Sequence, residues 1–382
     1  MTHIPFNRPH STGDELRNIQ EVMEGGHLAG DGPFTERCNK WLEDRTGSAK
    51  VLLTNSCTAA LEMAVNLVGI QPGDEVIMPS FTFPSTASAV ARAGAVPVFV
   101  DIREDTLNLD EGLVEMAMTP QTKALMPVHY AGVGCDMDEL TRIASENGLS
   151  VLEDAAQGIE AKYRSRHLGS IGRIGCLSFH ETKNITSGEG GAILVNDPAL
   201  VEAAEVLRDK GTNRARFFRG EIGHYTWVDA GSSYLMSEIA AAFLWAQLGQ
   251  AEWITRRRLE VWNAYHDGFA ELEAAGLVRR PVLPDGCEHN AHIYRLVFPD
   301  REKRNRLIAR LGERGIKSTF HYSPLHLSPA GRRFGRAHDK LPVTEAVSDR
   351  VLRLPVWVDM TDADVDRVVN AVCVESPIPA AY

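Results

Sequence analysis

The sequence predicts an α/β protein: a large layered domain with one sheet covered by helices on both faces, then a smaller α+β domain. Two observations predict it. From about residue 48 to 195, short runs rich in Val, Ile and Leu alternate with helical stretches, as strands buried on both faces of a sheet do. After residue 200 that alternation stops and long helical segments take over. The 382 residues suffice for two domains. The reading places the large domain at 12–250 and the small one at 251–382, with residues 1–11 packing nearby.

The strand candidates, in order, are 51–53, 76–78, 96–100, 124–128, 151–152, 176–179 and 192–195. A Ser/Thr turn and the helical AALEMAVNLV follow the first. Beyond residue 200, helices are predicted at 237–249 and 251–275. The turn-forming PVLPDGCEHN separates these from the strand IYRLVFPD and the basic amphipathic helix REKRNRLIARLGERGI. VTEAVSDRVLRLP reads as a further helix. Open α/β sheets bind ligands just past the carboxyl ends of their strands, and functional residues are expected there.

Composition excludes several classes. Hydrophobic residues make up 44% and charged residues 24%, as in an ordinary globular protein. The net charge of −11 argues against a general nucleic-acid binder, which needs a basic footprint. Six scattered cysteines without a C-x-x-C pair read as reduced thiols, and hence a cytoplasmic location. No basic start followed by an apolar core marks a signal peptide. Apolar stretches such as 239–246 are too short to cross a bilayer.

The most informative segment is VLEDAAQ, where a strand ends in Asp154 with Gln157 three residues on. An aspartate there can pair with a pyridine nitrogen and keep it protonated, which makes the ring an electron sink. Gln157 can then donate to a ring hydroxyl. Alone, Asp154 is better read as a helix cap. CLSFHETKNITSGEGGAILV follows, with Ser178 at a strand end and Lys183 in the next loop. A partly buried, neutral lysine can condense with an aldehyde cofactor. Ser178 and backbone N–H groups can bind its phosphate, and the GEGG glycines permit positive φ or close approach. Singly, a loop lysine is usually a solvated charge and GEGG a hairpin turn. The two segments together weaken both plain readings.

In LLTNSCTAAL, residues Ser56, Cys57 and Thr58 open a helix, and free N–H groups at such an end bind phosphate. An ordinary N-cap is the plain alternative. No G-x-x-x-x-G-K-[ST] or G-x-G-x-x-G follows this strand, which lowers the odds of an NTPase or dinucleotide enzyme. In VIMPSFTFPSTASAV, Phe81 and Phe83 follow a strand, where an aromatic can stack on a planar ring or simply join the core. FHYSPLH carries His321, Tyr322 and His326 at a spacing that fits no helical zinc pair, so no metal is expected.

Taken together, SFHETKN…GEGG after VLEDAAQ, with NSCTAALE and PSFTF, resembles the DegT/DnrJ/EryC1/StrS sugar aminotransferases over nearly the whole chain. GSAKVLLTNSCTAALE, PVHYAGVGCDMDEL, RDKGTNRARFFRG and YTWVDAGSSYLMSE look most like the dTDP-4-amino-4,6-dideoxygalactose transaminases. The resemblance implies a fold-type I, aspartate aminotransferase-like enzyme that depends on pyridoxal 5′-phosphate (PLP). Its large domain would carry a mixed seven-stranded sheet, and a homodimer would share active sites between subunits. By motif position, Lys183 matches the Schiff-base lysine and Asp154 the partner of the ring nitrogen. Gln157 matches the residue at the ring hydroxyl and Phe83 the stacked aromatic, while Ser178, Ser56, Cys57 and Thr58 match phosphate contacts.

The family's G-x-N-x-R stretch reads Gly231-Ser232-Ser233-Tyr234-Leu235 here, so Ser233 replaces the Asn that reaches the partner's phosphate. The implied reaction transfers nitrogen from L-glutamate, released as 2-oxoglutarate, to a TDP-linked 4-keto-6-deoxyhexose. Lys210, Arg214, Arg216 and Arg219 form the densest basic run for the nucleotide diphosphate, and His321 and Tyr322 are further substrate candidates. Three alternatives remain: a sugar 3-aminotransferase, a PLP-dependent sugar dehydratase and a non-catalytic PLP-binding relative. The dehydratases carry His at the Schiff-base position, and Lys183 favours transamination.

Overall fold

The computed structural model describes residues 3–378. Its centre is an eight-stranded sheet in the order β1-β9-β8-β5-β4-β2-β3-β12. Its members are β1 (Lys50–Thr54), β2 (Glu75–Pro79), β3 (Val96–Val100), β4 (Thr122–Leu125), β5 (Ser150–Asp154), β8 (Ile174–Ser178), β9 (Gly191–Val195) and β12 (Arg336–Ala337). The short β6 (Lys162–Tyr163), β7 (Arg166–His167) and β10 (Cys287–Glu288) form a side sheet. β11 (Tyr294–Val297) and β13 (Val351–Leu354) pair antiparallel in the C-terminal part.

All seven strands expected of the large domain are present, and β12 extends their sheet from the C-terminal part. Arg336 holds that edge strand with two bonds to Glu75, at 2.7 and 2.8 Å. β9 alone runs against its neighbours, so β1, β2, β5 and β8 all end at one edge. Val51 and Leu53 face one apolar cluster and Leu52 the other; Ile77 and its neighbours Val76 and Met78 divide likewise. Both faces are therefore buried, which is why these strands read as unbroken apolar runs.

A third cluster combines Ile4 with residues between Val261 and Val372. Leu325 and Leu341 depart from that division and pack with the large sheet. The predicted helix 237–249 is observed as Glu238–Gly249, with Ser237 capping its N-terminus through Ala240 N. VTEAVSDRVLRLP is only half a helix. It is helical over Pro342–Arg350 and then becomes β13, because Val351 to Leu354 find a partner in β11 that periodicity could not reveal.

One buried anchor fixes the edge where the site lies. The Glu153 carboxylate, fully buried, accepts from His129 Nε2 at 2.9 Å and from the N–H groups of Gly169, Ile171 and Gly172. It locks the end of β5 to the loop that leads into β8. Glu153→Ala orphans all four donors and should lower unfolding free energy by about 3–5 kcal/mol. Urea denaturation checks this, and a loss below about 1 kcal/mol would show that the anchor is dispensable.

Candidate active site

The strand ends converge on one cavity of about 1130 Å³. Ser56, Cys57, Thr58, Phe83, Asp154, Gln157, Ser178, Lys183, His321 and Tyr322 all line it. Ten candidates scattered over 267 positions of sequence (56 to 322) are thereby brought together.

Asp154 ends β5 and is 5% exposed. Thr86 Oγ1 donates to its Oδ2 at 2.8 Å and Ala156 N to its Oδ1 at 3.1 Å. Burial still dominates and pushes the carboxyl above its ordinary value, with Thr86, Ala156, Lys183 and His129 opposing. Such a carboxylate calls for a cationic partner. Lys183 shows the mirror image: burial lowers its amine, while Cys57 and Asp154 act to raise it. An amine so placed is uncharged more readily than a free lysine, as nucleophilic chemistry requires.

The Lys183 loop is tied down at both sides. Ser187 N bonds Phe179 O, Glu181 N bonds Gly188 O, and Asn7 Nδ2 reaches Glu181 O. Next to the lysine, Asn184 Nδ2 donates to Asn290 O at 2.7 Å. The GEGG glycines divide two roles. Gly188 adopts φ +81°, and a Cβ on Gly191 would lie 2.4 Å from Cys57 N. Glycine thus lets the start of β9 press against the helix Cys57–Leu67.

That helix start presents free donors of the kind that bind anions. Ser56 Oγ accepts from Ala59 N, which leaves the first N–H groups, those of Cys57 and Thr58, without helical partners. Ser56 thus spends its hydroxyl's acceptor on the cap, and Thr58 Oγ1 donates to Ser85 Oγ at 2.8 Å. Phe83 precedes Pro84 at the next helix start and is 61% exposed in this chain, open for a ring to stack on. Phe81 instead joins the core beside Tyr130. Gln157 Oε1 accepts from Ala131 N and its Nε2 donates to Tyr322 Oη at 3.1 Å, leaving one amide hydrogen free. His321 Nε2 pairs with Tyr130 Oη at 2.7 Å, and burial depresses the imidazole far below its ordinary value.

The basic run lies outside this chain's cavity. Lys210 and Arg214 pair with Asp209, and Arg219 with Glu205 and Glu221. Neither they nor Ser233 line the cavity. Ser233 is exposed and accepts a bond from Asn55 Nδ2. Sequence reading missed Thr86, Arg258, His292 and Arg353, which hold Asp154 or line the cavity. Nothing local marks them, because each gains its meaning from a distant partner.

The set fits PLP on this chain's own features: an amine of lowered basicity, a buried carboxylate lacking a cation, a helix start for phosphate and an open aromatic. Comparison with known proteins agrees. Residues 9–373 match the model of the DegT/DnrJ/EryC1/StrS aminotransferase family. The chain is 36% identical over 377 residues to the spore coat polysaccharide biosynthesis protein SpsC of Bacillus subtilis, covering 97% of this chain and 96% of that one. The aminotransferase TlmJ from Streptoalloteichus hindustanus superposes with a TM-score of 0.89 at 31% identity, covering 97% and 98% of the two chains. Spr1654 from Streptococcus pneumoniae, solved in a PLP form, gives 0.90 at 27% identity over 98% and 99%. The chain belongs to the DegT/DnrJ/EryC1/StrS family and is a PLP-dependent sugar aminotransferase.

Proposed function

We propose that the enzyme converts a TDP-linked 4-keto-6-deoxyhexose to the 4-amino-4,6-dideoxyhexose with L-glutamate as donor, as a cytoplasmic homodimer. The observation that carries this reading is the joint exposure of the Lys183 amine and the Asp154 carboxylate to one cavity of about 1130 Å³. That volume exceeds the roughly 300–1,000 Å³ of ordinary ligand pockets, which leaves room for a nucleotide sugar beside the cofactor. The choice of C4 and of TDP rests on the likeness of GSSYL and its neighbouring motifs to one subgroup.

PLP, when bound, supplies the electron sink for the carbanion. Lys183 Nζ takes the proton from the donor's Cα and returns it on the other side of the transfer. Asp154, oriented by Thr86 and Ala156 N, holds the ring-nitrogen proton. Gln157, with its free amide hydrogen, would hold the ring hydroxyl, and the exposed Phe83 would stack on the ring. Ser178, Ser56 and the N–H groups of Cys57 and Thr58 hold the phosphate. The 209–233 segment places Ser233, Lys210, Arg214 and Arg219 outside their own cavity, so in this reading they serve the second subunit. Trp227, 75% exposed on the same segment, supports contact with another copy.

Incubation with PLP, L-glutamate and TDP-4-keto-6-deoxyglucose should yield an amine at C4 by NMR, with parallel double-reciprocal lines. Nitrogen at C3, or intersecting lines, would overturn the assignment. Arg219→Ala should raise the KM for the nucleotide sugar about tenfold or more and spare that for glutamate. An unchanged KM removes the basic run from the site.

The charge of Lys183 sets a pH dependence. Its amine, lowered from the usual 10.5, is uncharged above its folded pKa and becomes charged as pH falls through it. The rate of PLP capture by apoprotein should therefore rise with pH through a value below 10.5. Asp154 acts to raise that value, so Asp154→Asn should shift the rise to lower pH and cut kcat by about 10³-fold. Stopped-flow absorbance reads the first effect, and Lys183→Ala should abolish it.

A further inference from the structure

One histidine in the cavity wall has its proton placed by a chain of amides. Asn184 follows Lys183, and its Nδ2 donates to Asn290 O, a backbone carbonyl that can only accept. The Oδ1 of Asn184 therefore faces His292 Nδ1, 2.9 Å away, and an amide oxygen can only accept in its turn. The ring proton of His292 must sit on Nδ1. Burial, with the charges of Lys183, Arg258 and Arg353, holds the imidazole far below its ordinary value, so it carries no second proton. Nε2 is thus a bare lone pair. It has no partner among the described residues and opens on the cavity that His292 lines.

The residue is held as firmly as its proton. His292 N donates to Asn290 Oδ1 at 3.0 Å, and His292 O accepts from Arg258 Nη2 at 3.0 Å. Asn290 is fully buried and donates from Nδ2 to Gln157 O and Ile159 O, which fixes its own amide. Gly132 makes room for it, since a Cβ there would lie 2.0 Å from Asn290 Oδ1. His321, also in the wall, differs: its Nε2 meets the Tyr130 hydroxyl, which can donate or accept, so that bond imposes no tautomer. A fixed acceptor selects what it meets. Its lone pair repels carboxylate and phosphate oxygens, and the guanidinium groups of Arg258 and Arg353 disfavour an ammonium. A neutral hydroxyl is the group that suits it.

We propose that His292 Nε2 accepts a hydrogen bond from a ring hydroxyl of the keto sugar and so helps to select the substrate that receives the nitrogen. The assignment rests on the transaminase reading above and adds a residue that tells the sugar from the keto acid of the other half-reaction. The oxygens of 2-oxoglutarate can only accept, whereas a sugar hydroxyl can donate, and a site built for a hydroxyl rejects ligands that lack one. One amide chain then serves the lysine loop, the Gln157 turn and the sugar contact together.

The test compares wild type with His292→Asn and His292→Gln. The shorter amide keeps a donor for Asn184 but cannot reach the place of Nε2; the longer one can. In His292→Asn, kcat/KM of the pyridoxamine-loaded enzyme with TDP-4-keto-6-deoxyglucose should fall about tenfold or more beyond any loss in the half-reaction with L-glutamate. His292→Gln should recover part of it. Calorimetry on the PLP-loaded enzyme with TDP-glucose, which has ring hydroxyls but no ketone, should show Kd raised about fivefold or more in His292→Asn. NMR of the histidine-labelled holoenzyme should find His292 protonated at Nδ1 and bare at Nε2, a preference that Asn184→Leu removes. A proton on Nε2, equal losses in both half-reactions, or an unaltered sugar half-reaction in His292→Asn would overturn the proposal. If wild type binds TDP-glucose through His292 yet leaves the keto sugar unconverted, the reaction assignment fails and this one stands.

Discussion

Two ionisable groups of opposite sign, Asp154 and Lys183, are buried against one cavity, and the architecture around them resolves the cost of that burial. Desolvation raises the carboxyl and lowers the amine, so burial disfavours the charged form of each. Their mutual attraction offsets this only in part. A cationic aromatic ring with an aldehyde relieves both: it gives the carboxylate a counter-charge and the amine a covalent partner. Thr86, which orients the carboxylate, is itself buried.

The sheet places the pair. β5 and β8 lie side by side and parallel, so Asp154 and Ser178 emerge at the same edge. The reversal into β9 forces the intervening loop back over that edge and carries Lys183 with it. Gly191 permits the reversal to close against the helix start at Cys57. Glu153, one residue before Asp154 and pointing to the opposite side of the strand, ties the edge down from below. The cavity-facing Asp154 and the anchoring Glu153 therefore alternate on one strand, in opposite environments.

The C-terminal part closes the cavity. Asn290 Nδ2 donates to the carbonyls of Gln157 and Ile159, while its own carbonyl holds Asn184. Small displacements of this part would reach both Gln157 and Lys183. Arg353, His321 and Tyr322 arrive from the same side and give the cavity a wall of donors and neutral rings over an otherwise apolar lining.

The sequence by itself determined the layered α/β class and the seven main strands, and it singled out ten residues that the fold brings to one cavity. Those strands are short, apolar and buried on both faces, and Lys183, Asp154 and the Ser56–Thr58 turn lie in ordered motifs within a few residues of strand ends. Such signals are local and survive without coordinates. Only the tertiary structure decided β12, β13 and the contact of Thr86 with Asp154. β12 is two residues long, and β13 is a strand only because β11 lies beside it. Thr86 is one of many threonines in the chain until folding sets its hydroxyl against the Asp154 carboxylate. The basic run at 210–219 shows the converse: its residues cluster in sequence, and in the fold they pair with Asp209, Glu205 and Glu221 outside their own chain's cavity. Charge density is written along the chain, whereas the environment that gives a charge its function is assembled across it.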